Sequence, residues 1–185
     1  MRSACGSCAI RTVRFIDLRW WSIVKVSRVS SEEKRFTTRL ERARDYQFKV
    51  RFDSPDMQDL VTDETEPVGK GLGPNPSRLL SAAVANCLSS SLLFCLSKAR
   101  VPVIDLTASV ETVTRRNEKG RWRIASLKVK LHPSLREEDF ERSKRCLELF
   151  EDFCVVTESV RKGIDVQVDI DTSASGAAVP KSEPS

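Results

Sequence analysis

The alternation of apolar and polar residues predicts three short strands at the start of the legible part of the chain. Tyr46, Phe48, Val50 and Phe52 alternate with polar residues, as in a strand with one buried face. A preceding basic strand and an intervening turn make this region a hairpin. We predict strands at residues 36–42, 46–52 and around 57–61, with the hairpin turn at 43–45.

A long helix follows a loop that is too rich in Gly and Pro to be helical, residues 62–76. Residues 77–100 are apolar almost all round, which predicts a buried central helix. Ser77 directly follows Pro76 and is the candidate N-cap residue of this helix.

The remaining pattern is a second hairpin, two helices and a last strand. Gly120 lies in the predicted turn at 117–120, where a positive φ is expected. The order βββ-α-ββ-αα-β favours an α+β fold over a βαβ winding. The hairpin strands are predicted at 101–113 and 121–131, the helices at 133–153 and 154–161, the latter ended by Gly163, and the last alternating strand at 164–171.

The two ends of the chain differ in composition from the domain between them. Residues 1–30 have no clear period, and we interpret them as an N-terminal extension, disordered or upstream of the true start at Val24, Val26 or Val29. Residues 173–185 are small, polar and Pro-bearing, which predicts a disordered tail. The expected folded domain is residues 31–172.

The charge is concentrated at the N-terminal end of the chain. The formal net charge of the 185 residues is +5, but residues 1–50 carry +7 and the rest −2. This distribution does not support a nucleic-acid-binding surface on the domain. No uninterrupted apolar run is long enough to predict a membrane span, and no secretory signal is visible. We therefore expect a cytoplasmic protein that binds neither nucleic acid nor membrane.

The six cysteines are scattered in a chain large enough to fold without staples. Cys87 and Cys95 are eight residues apart, about 12 Å along a helix, so they cannot pair with each other. The same holds for Cys146 and Cys154 if their helix is continuous. Any bridge must cross between elements, and the plainer interpretation of Cys95 and Cys146 is that they are small apolar core residues.

Two further cysteines, Cys5 and Cys8, have the spacing of a redox dithiol or of half a zinc site. The single histidine of the chain is His132, so a four-ligand zinc site would need cysteines from elsewhere. We interpret Cys5 and Cys8 as unimportant for chemistry and predict no metal.

Cys154 and Cys87 differ from the others in their expected surroundings. Cys154 stands at the start of a short helix, whose positive end favours a thiolate. Cys87 is in mid-helix and would need a cation from another element, for which Arg42 and Arg44 in the first hairpin are the candidates. A core role for Cys87 stays open at this point.

Two separated motifs resemble those of the OsmC/Ohr family, the osmotically inducible and organic hydroperoxide resistance proteins. The first covers residues 73–87, GPNPSRLLSAAVANC, a G-x-N-P motif followed by a Leu- and Ala-rich helix that carries a cysteine. The second covers residues 154–160, CVVTESV, followed by a Gly and a final strand. The predicted element order agrees with the family's fold, and the resemblance extends over about residues 36–171.

The resemblance implies a thiol peroxidase that reduces organic hydroperoxides or hydrogen peroxide, in an intertwined homodimer with active sites at the subunit interface. Cys87 would be the peroxidatic thiolate, and Cys154 would resolve its sulfenic acid as a disulfide. An external dithiol, such as a lipoyl group, would reduce that disulfide, and no bound cofactor is implied. The activating arginine of the family aligns with Arg44, with Arg42 as the reserve.

Two departures mark a divergent member. The family's peroxidases carry an acidic residue after Asn-Pro that positions the arginine, and here that place holds Ser77. Glu64 or Glu66 could supply the carboxylate instead. The residue after the second cysteine is Val155 where Pro is common. The alternative is therefore a non-catalytic dimer of the same fold, a binding or scaffold protein that lost the peroxide chemistry.

Overall fold

A computed structural model describes residues 32–172 of the chain. The predictions made for residues 1–30, including Cys5 and Cys8, and for the C-terminal tail at 173–185 lie outside the described residues.

The elements form an α+β arrangement of antiparallel strands and helices, which confirms the predicted fold class. Two short 3₁₀ turns flank the second helix. In chain order the elements are β1 Thr38–Arg44, β2 Gln47–Phe52, β3 Leu60–Thr62, α1 Pro76–Lys98, β4 Asp105–Arg116, β5 Trp122–Ser134, a 3₁₀ turn Glu137–Asp139, α2 Phe140–Leu149, a 3₁₀ turn Phe150–Phe153 and α3 Val155–Lys162.

The strands form two antiparallel sheets, one with the order β1-β2-β3 and one with the pair β4-β5. The first hairpin turns two residues later than predicted, with Asp45 at a φ of 42° and a shift of register between Arg42 and Arg44. Asp is among the residues that best tolerate this left-handed conformation. In the second hairpin Gly120 has a φ of 71°, as the sequence predicted.

Helix α1 begins one residue earlier than predicted. The side chain of Asn75 accepts a hydrogen bond from the backbone N–H of Arg78 at 3.0 Å. The N-cap residue is therefore Asn75. The prediction of Ser77, which was based on its place after Pro76, was wrong. Proline is well suited to the first helical position because its missing N–H would have no partner there.

One face of α1 is buried, rather than its whole circumference. The buried residues recur every three or four positions, and the opposite side leaves Leu93 and Phe94 exposed. By length and a mean hydropathy of 1.9 the helix could cross a membrane, a test that core helices also pass. Its packing against β4, β5, α2 and α3 identifies it as a core helix. The buried positions are Ser81, Val84, Leu88, Ser91, Leu92 and Leu96.

The region predicted as one helix at 133–153 is divided. Strand β5 continues to Ser134, and α2 is flanked by the two 3₁₀ turns. The chain changes direction at Cys154, whose backbone is extended (φ −82°, ψ 99°), before α3 begins. Gly163 ends α3 with a φ of 78°, as predicted.

The strand predicted at 164–171 is absent from the described part of the chain. Residues 163–172 carry no regular secondary structure, and every apolar residue of the segment is exposed, from 64% for Ile164 to 84% for Ile170. The alternation is present, but a strand needs a neighbouring strand to bond its backbone. Within residues 32–172 the segment has none.

Cys95 and Cys146 form a disulfide, contrary to the interpretation of both as plain core residues. The bridge joins α1 to α2 with the two Cα atoms 5.5 Å apart, within the range that a disulfide allows. The sequence could not show that these two positions face each other, because that depends on how α2 packs on α1. Around the bridge lie the buried Leu92, Leu96 and Val101.

This disulfide closes a separation of 51 residues and is expected to stabilise the domain. Replacing Cys95 and Cys146 together by Ala should lower the free energy of unfolding by about 4 kcal/mol, because the unfolded chain regains its loop entropy. Urea denaturation at a fixed protein concentration measures it. Cys87→Ala is the matched control that leaves the bridge intact, and an equal midpoint for the wild type and the double variant would contradict the expectation.

Candidate functional site

Cys87 and Cys154 meet where α1 packs against the start of α3. Both are free thiols, and their side chains hydrogen-bond each other. Cys87 is partly buried and Cys154 is 0% exposed. The structure thus brings together the two cysteines that the sequence singled out, although their assigned roles stay predictions.

Backbone N–H groups at the start of α3 face both thiols. The backbone N–H of Val156 donates to Cys87 Sγ at 3.5 Å, and that of Val155 also contributes. The backbone N–H of Thr157, in the first turn of α3, acts in the same way on Cys154, the residue just before the helix. The sequence predicted that the positive helix end would favour a thiolate at Cys154, and in the structure the N–H groups at this end act on Cys154 and on Cys87.

Cys154 is held by hydroxyl groups. Its Sγ lies 3.0 Å from Thr157 Oγ1, and the Ser91 side chain hydrogen-bonds it from α1. Both hydroxyl residues are buried. Burial by itself raises the pKa of Cys154. The hydrogen bonds from the Thr157 side chain, from Cys87, from the Thr157 backbone N–H and from Ser91 outweigh it and lower the pKa below the usual value for a thiol.

The pKa of Cys87 is shifted in the opposite direction. Burial raises it, and the hydrogen bond with Cys154 raises it further, while the N–H groups of Val156 and Val155 act against both. Within the single chain, Cys87 is therefore the weaker acid of the pair. A peroxidatic Cys87 would need a positive charge beyond what α3 supplies.

The two candidate arginines lie in the first hairpin with other partners. Arg42 Nε donates to the backbone carbonyl of Asp45 at 3.0 Å, which closes the turn. Arg44 lines a small cavity with Asp63 and Lys70. The groups that act on Cys87 belong to α3 and to Cys154. Within the described residues, Arg44 is therefore not in contact with Cys87.

Asp63 is the carboxylate beside Arg44, where the sequence pointed to Glu64 or Glu66. Asp63 is 4% exposed, and it accepts the backbone N–H groups of Lys70 and Leu72, each at 3.1 Å. The N–H of Leu72 chiefly, with those of Lys70 and Glu64 and the charge of Arg44, lowers the pKa of Asp63 despite its burial.

A usable sequence signal for Asp63 existed, because an Asp just after a strand and before a Gly-rich loop commonly bonds the backbone of that loop. The loop also packs tightly on itself. A side chain on Gly69 or Gly73 would overlap the backbone of Glu64 or Val61, respectively. The Asp63 carboxylate therefore fixes the shape of the segment that leads into α1.

An apolar groove of about 500 Å³ runs beside the cysteine pair between α1, β5 and α3. Thr157, which contacts Cys154, lines it together with Leu88, the neighbour of Cys87. The groove therefore approaches the thiols through Leu88 and Thr157, and the two cysteines are not among its lining residues. Among residues 32–172 no group of three or more His, Cys, Asp or Glu side chains could hold a metal ion.

Comparisons with known proteins agree with this fold. The family described as OsmC-like protein matches residues 69–169. No curated protein matches the sequence.

Solved structures share the fold at low sequence identity. An OsmC-like protein of unknown function from Vibrio cholerae is 14% identical with a TM-score of 0.57, and 69% of this chain covers 94% of that one. An organic hydroperoxide resistance protein OsmC from Legionella pneumophila is 16% identical with a TM-score of 0.54, and the match covers 72% of this chain and 94% of that one. An organic hydroperoxide resistance protein from Elizabethkingia anophelis with thiocyanate bound is 16% identical with a TM-score of 0.52, and the match covers 71% of this chain and 91% of that one.

Asp63→Asn should loosen the loop that leads into α1. The charged acceptor of the Lys70 and Leu72 amides is lost, so hydrogen exchange at these two amides should become about tenfold faster. Because the folded state lowers the pKa of Asp63, the wild type should keep this protection at neutral pH and lose it as the pH falls below about 4.

Asp59→Asn is the matched control, since Asp59 is a nearby but more exposed carboxylate that pairs with Lys49 at 2.6 Å. Unchanged exchange at Lys70 and Leu72 in the Asp63 variant would show that the carboxylate does not hold the loop.

Proposed function

Because the chain belongs to the OsmC-like family, we propose that it is a thiol-dependent peroxidase that reduces organic hydroperoxides or hydrogen peroxide. The observation that carries the proposal is the meeting of two free thiols, Cys87 and Cys154, beside an apolar groove. The fold neighbours named organic hydroperoxide resistance proteins support the same peroxide-related redox function.

The proposed reaction uses the two thiols in sequence. The Cys87 thiolate attacks one peroxide oxygen, the O–O bond breaks, and the other oxygen leaves as an alcohol or water after taking up a proton. Cys87 is then a sulfenic acid. Cys154 attacks that sulfur, a disulfide forms and water leaves. An external dithiol, for which a lipoyl group is our candidate, returns both sulfurs to thiols and is itself oxidised to a disulfide. No bound cofactor is required.

We infer a homodimer from the apolar surface that the single chain leaves uncovered. The segment at 164–171 alternates apolar and acidic or amide residues and has no strand to pair with inside the described chain. The sheet β1-β2-β3 likewise presents Leu40 and Phe52 in exposed positions. A second copy that bonded this segment and covered the sheet would bury both, which agrees with the intertwined dimer that the family resemblance implies.

The dimer also offers a source for the charge that Cys87 lacks. Arg44 lines a cavity with Asp63, whose pKa its charge lowers, and it is not among the groups that act on Cys87. We propose that Arg44 of the partner subunit approaches Cys87 at the interface, lowers its pKa and stabilises the thiolate. Arg42, whose side chain closes the hairpin turn, is the reserve candidate.

A second candidate function is a non-catalytic dimer that binds or scaffolds without peroxide chemistry. Two observations favour it. Ser77 replaces the acidic residue of the family's peroxidases, and the pKa of Cys87 is raised within the single chain. We propose that the protein is located in the cytoplasm.

Treatment with one equivalent of an organic hydroperoxide, followed by mass spectrometry, distinguishes the two functions. We expect a disulfide between Cys87 and Cys154, which Cys87→Ser abolishes. The bridge between Cys95 and Cys146 serves as the internal reference, because it is already oxidised. If Cys87 keeps its thiol while other residues oxidise, the chain is not a peroxidase of this kind.

Mixed dimers test whether Arg44 acts across the interface. A Cys87→Ser subunit and an Arg44→Gln subunit, coexpressed with different tags and purified together, should regain about half of the wild-type peroxidase activity, since one of two symmetric sites is then complete. Each homodimer should be nearly inactive. If Arg44 served its own chain, the mixed dimer would have no complete site and no activity.

The same design with Arg42→Gln in place of Arg44→Gln is the matched control. We expect the Arg42→Gln homodimer to keep full activity. An inactive Arg42→Gln homodimer beside an active Arg44→Gln homodimer would show that Arg42, and not Arg44, activates Cys87.

A further inference from the structure

The side chain of Cys154 lies in a pocket whose polar atoms come from two helices. Thr157 Oγ1 is 3.0 Å from its Sγ, and the Ser91 hydroxyl reaches it from α1. Thr157 is 7% exposed and Ser91 8%, so neither hydroxyl has ready access to water as an alternative partner. The rest of the wall is apolar, with Val84 and Leu88 in contact with Cys154.

Each hydroxyl stands one helical turn beyond a cysteine. Ser91 follows Cys87 by four positions on α1, a spacing at which residues lie on the same face of a helix. Thr157 lies in the first turn of α3 and follows Cys154, the N-cap residue of that helix, by three positions. Both hydroxyls act on Cys154.

Buried hydroxyls lower the stability of a fold unless they form hydrogen bonds. Another buried serine on α1, Ser81, bonds the backbone carbonyl of Ser77 at 2.8 Å and lies 2.7 Å from Thr112 Oγ1. The hydroxyl of Ser91 instead acts on Cys154, whose pKa it helps to lower. It thus serves the thiol, whereas the hydroxyl of Ser81 is committed to the scaffold.

We propose that Ser91 and Thr157 are positioning residues that hold the Cys154 sulfur as a thiolate directed at Cys87, ready to close the disulfide. The inference rests on the proposed peroxidase function and assigns these two hydroxyls to its second step. In the neutral thiol the Sγ–H donates to Thr157 Oγ1. When the proton leaves, both hydroxyls can turn and donate to the sulfur, since a hydroxyl both donates and accepts.

The step that they assist is balanced without a further oxidant. The Cys154 thiolate attacks the sulfur of the Cys87 sulfenic acid, an S–S bond forms, and the S–O bond breaks. The hydroxide that leaves takes up a proton and becomes water. The two electrons have already passed to the peroxide in the first step.

The other charged groups near Cys154 do not compete for this role. Cys87 is the titratable group that faces it from α1, and the part of β5 that lines the adjoining groove is free of charged side chains. Glu151 and Arg161 line the same groove from the 3₁₀ turn and from α3, and they bond each other at 2.7 Å. Glu158 is engaged by Arg161 and Lys162. The lowered pKa of Cys154 agrees with stabilisation by the hydroxyls.

Thr157→Val tests the proposal because it keeps the shape of the side chain and removes the hydroxyl. Stopped-flow measurements should give an unchanged rate of Cys87 oxidation and a slower disulfide closure. If the variant has about tenfold less Cys154 thiolate, the thiolate that remains is about threefold more nucleophilic because its pKa is higher. The net effect is a closure about threefold slower, and the loss of alignment slows it further. The pH midpoint of closure should rise, and a 1,3-diketone probe should trap more sulfenic acid.

Thr157→Ser should restore closure, because it restores the hydroxyl. Ser91→Ala should resemble Thr157→Val more weakly. Thr112→Val and Ser81→Ala are matched controls, since they remove a threonine and a serine hydroxyl that bond each other instead of the thiol. Circular dichroism and the Cys87 oxidation rate verify that each variant is folded.

The two proposals fail in different ways. A wild type that forms no Cys87 sulfenic acid would overturn the peroxidase function, and the positioning role with it. A wild type that oxidises and closes, beside a Thr157→Val variant that closes at the same rate and with the same pH midpoint, would overturn the positioning role alone.

Discussion

The packing of one face of α1 against the helical segment that follows β5 is the contact on which the rest of the structure depends. Two cysteine pairs cross this contact, and they are in register. Cys87 and Cys95 are eight residues apart on α1, and their partners Cys154 and Cys146 are eight residues apart in the opposite direction. On α1 eight residues are just over two turns and about 12 Å of helix, and the end of α2 with the 3₁₀ turn after it spans the matching distance. The disulfide therefore fixes the register of the layer in which the free thiols meet.

The same contact creates a problem that the site must solve. Packing thiols among Val84, Leu88 and Phe150 removes them from water, and that disfavours the charged form that reacts. For Cys154 the chain compensates with the hydroxyls of Thr157 and Ser91, the backbone N–H of Thr157 and the Cys87 thiol, and for Cys87 with the backbone N–H groups of Val156 and Val155. Because the first set outweighs burial and the second does not, the pKa values of the pair move apart. The divergence suits Cys154 for the second step of the proposed reaction and leaves Cys87 in need of a further positive charge for the first.

Features that follow from local sequence could be predicted, and features that need a neighbour could not. The hairpin turn at Gly120, the length of α1 and the end of α3 at Gly163 depend on turn residues and periodicity within a few positions. The partners of Cys146 and of the hydroxyl of Ser91 depend on how distant helices pack, which no local pattern contains. The start of α1 was misplaced for a narrower reason, since Asn75 and Ser77 are both good caps and only the backbone decides between them.

The missing strand at 164–171 and the missing charge at Cys87 have one physical explanation if the chain is half of the folding unit. A strand whose apolar residues are up to 84% exposed would aggregate unless another backbone pairs with it. A partly buried thiol with a raised pKa reacts slowly until a cation approaches. Neither need is met inside residues 32–172, and the proposed symmetric second copy would meet both by bonding the segment and bringing an arginine. On this view assembly and activation are the same event, so a monomer would be both less soluble and less reactive than the dimer.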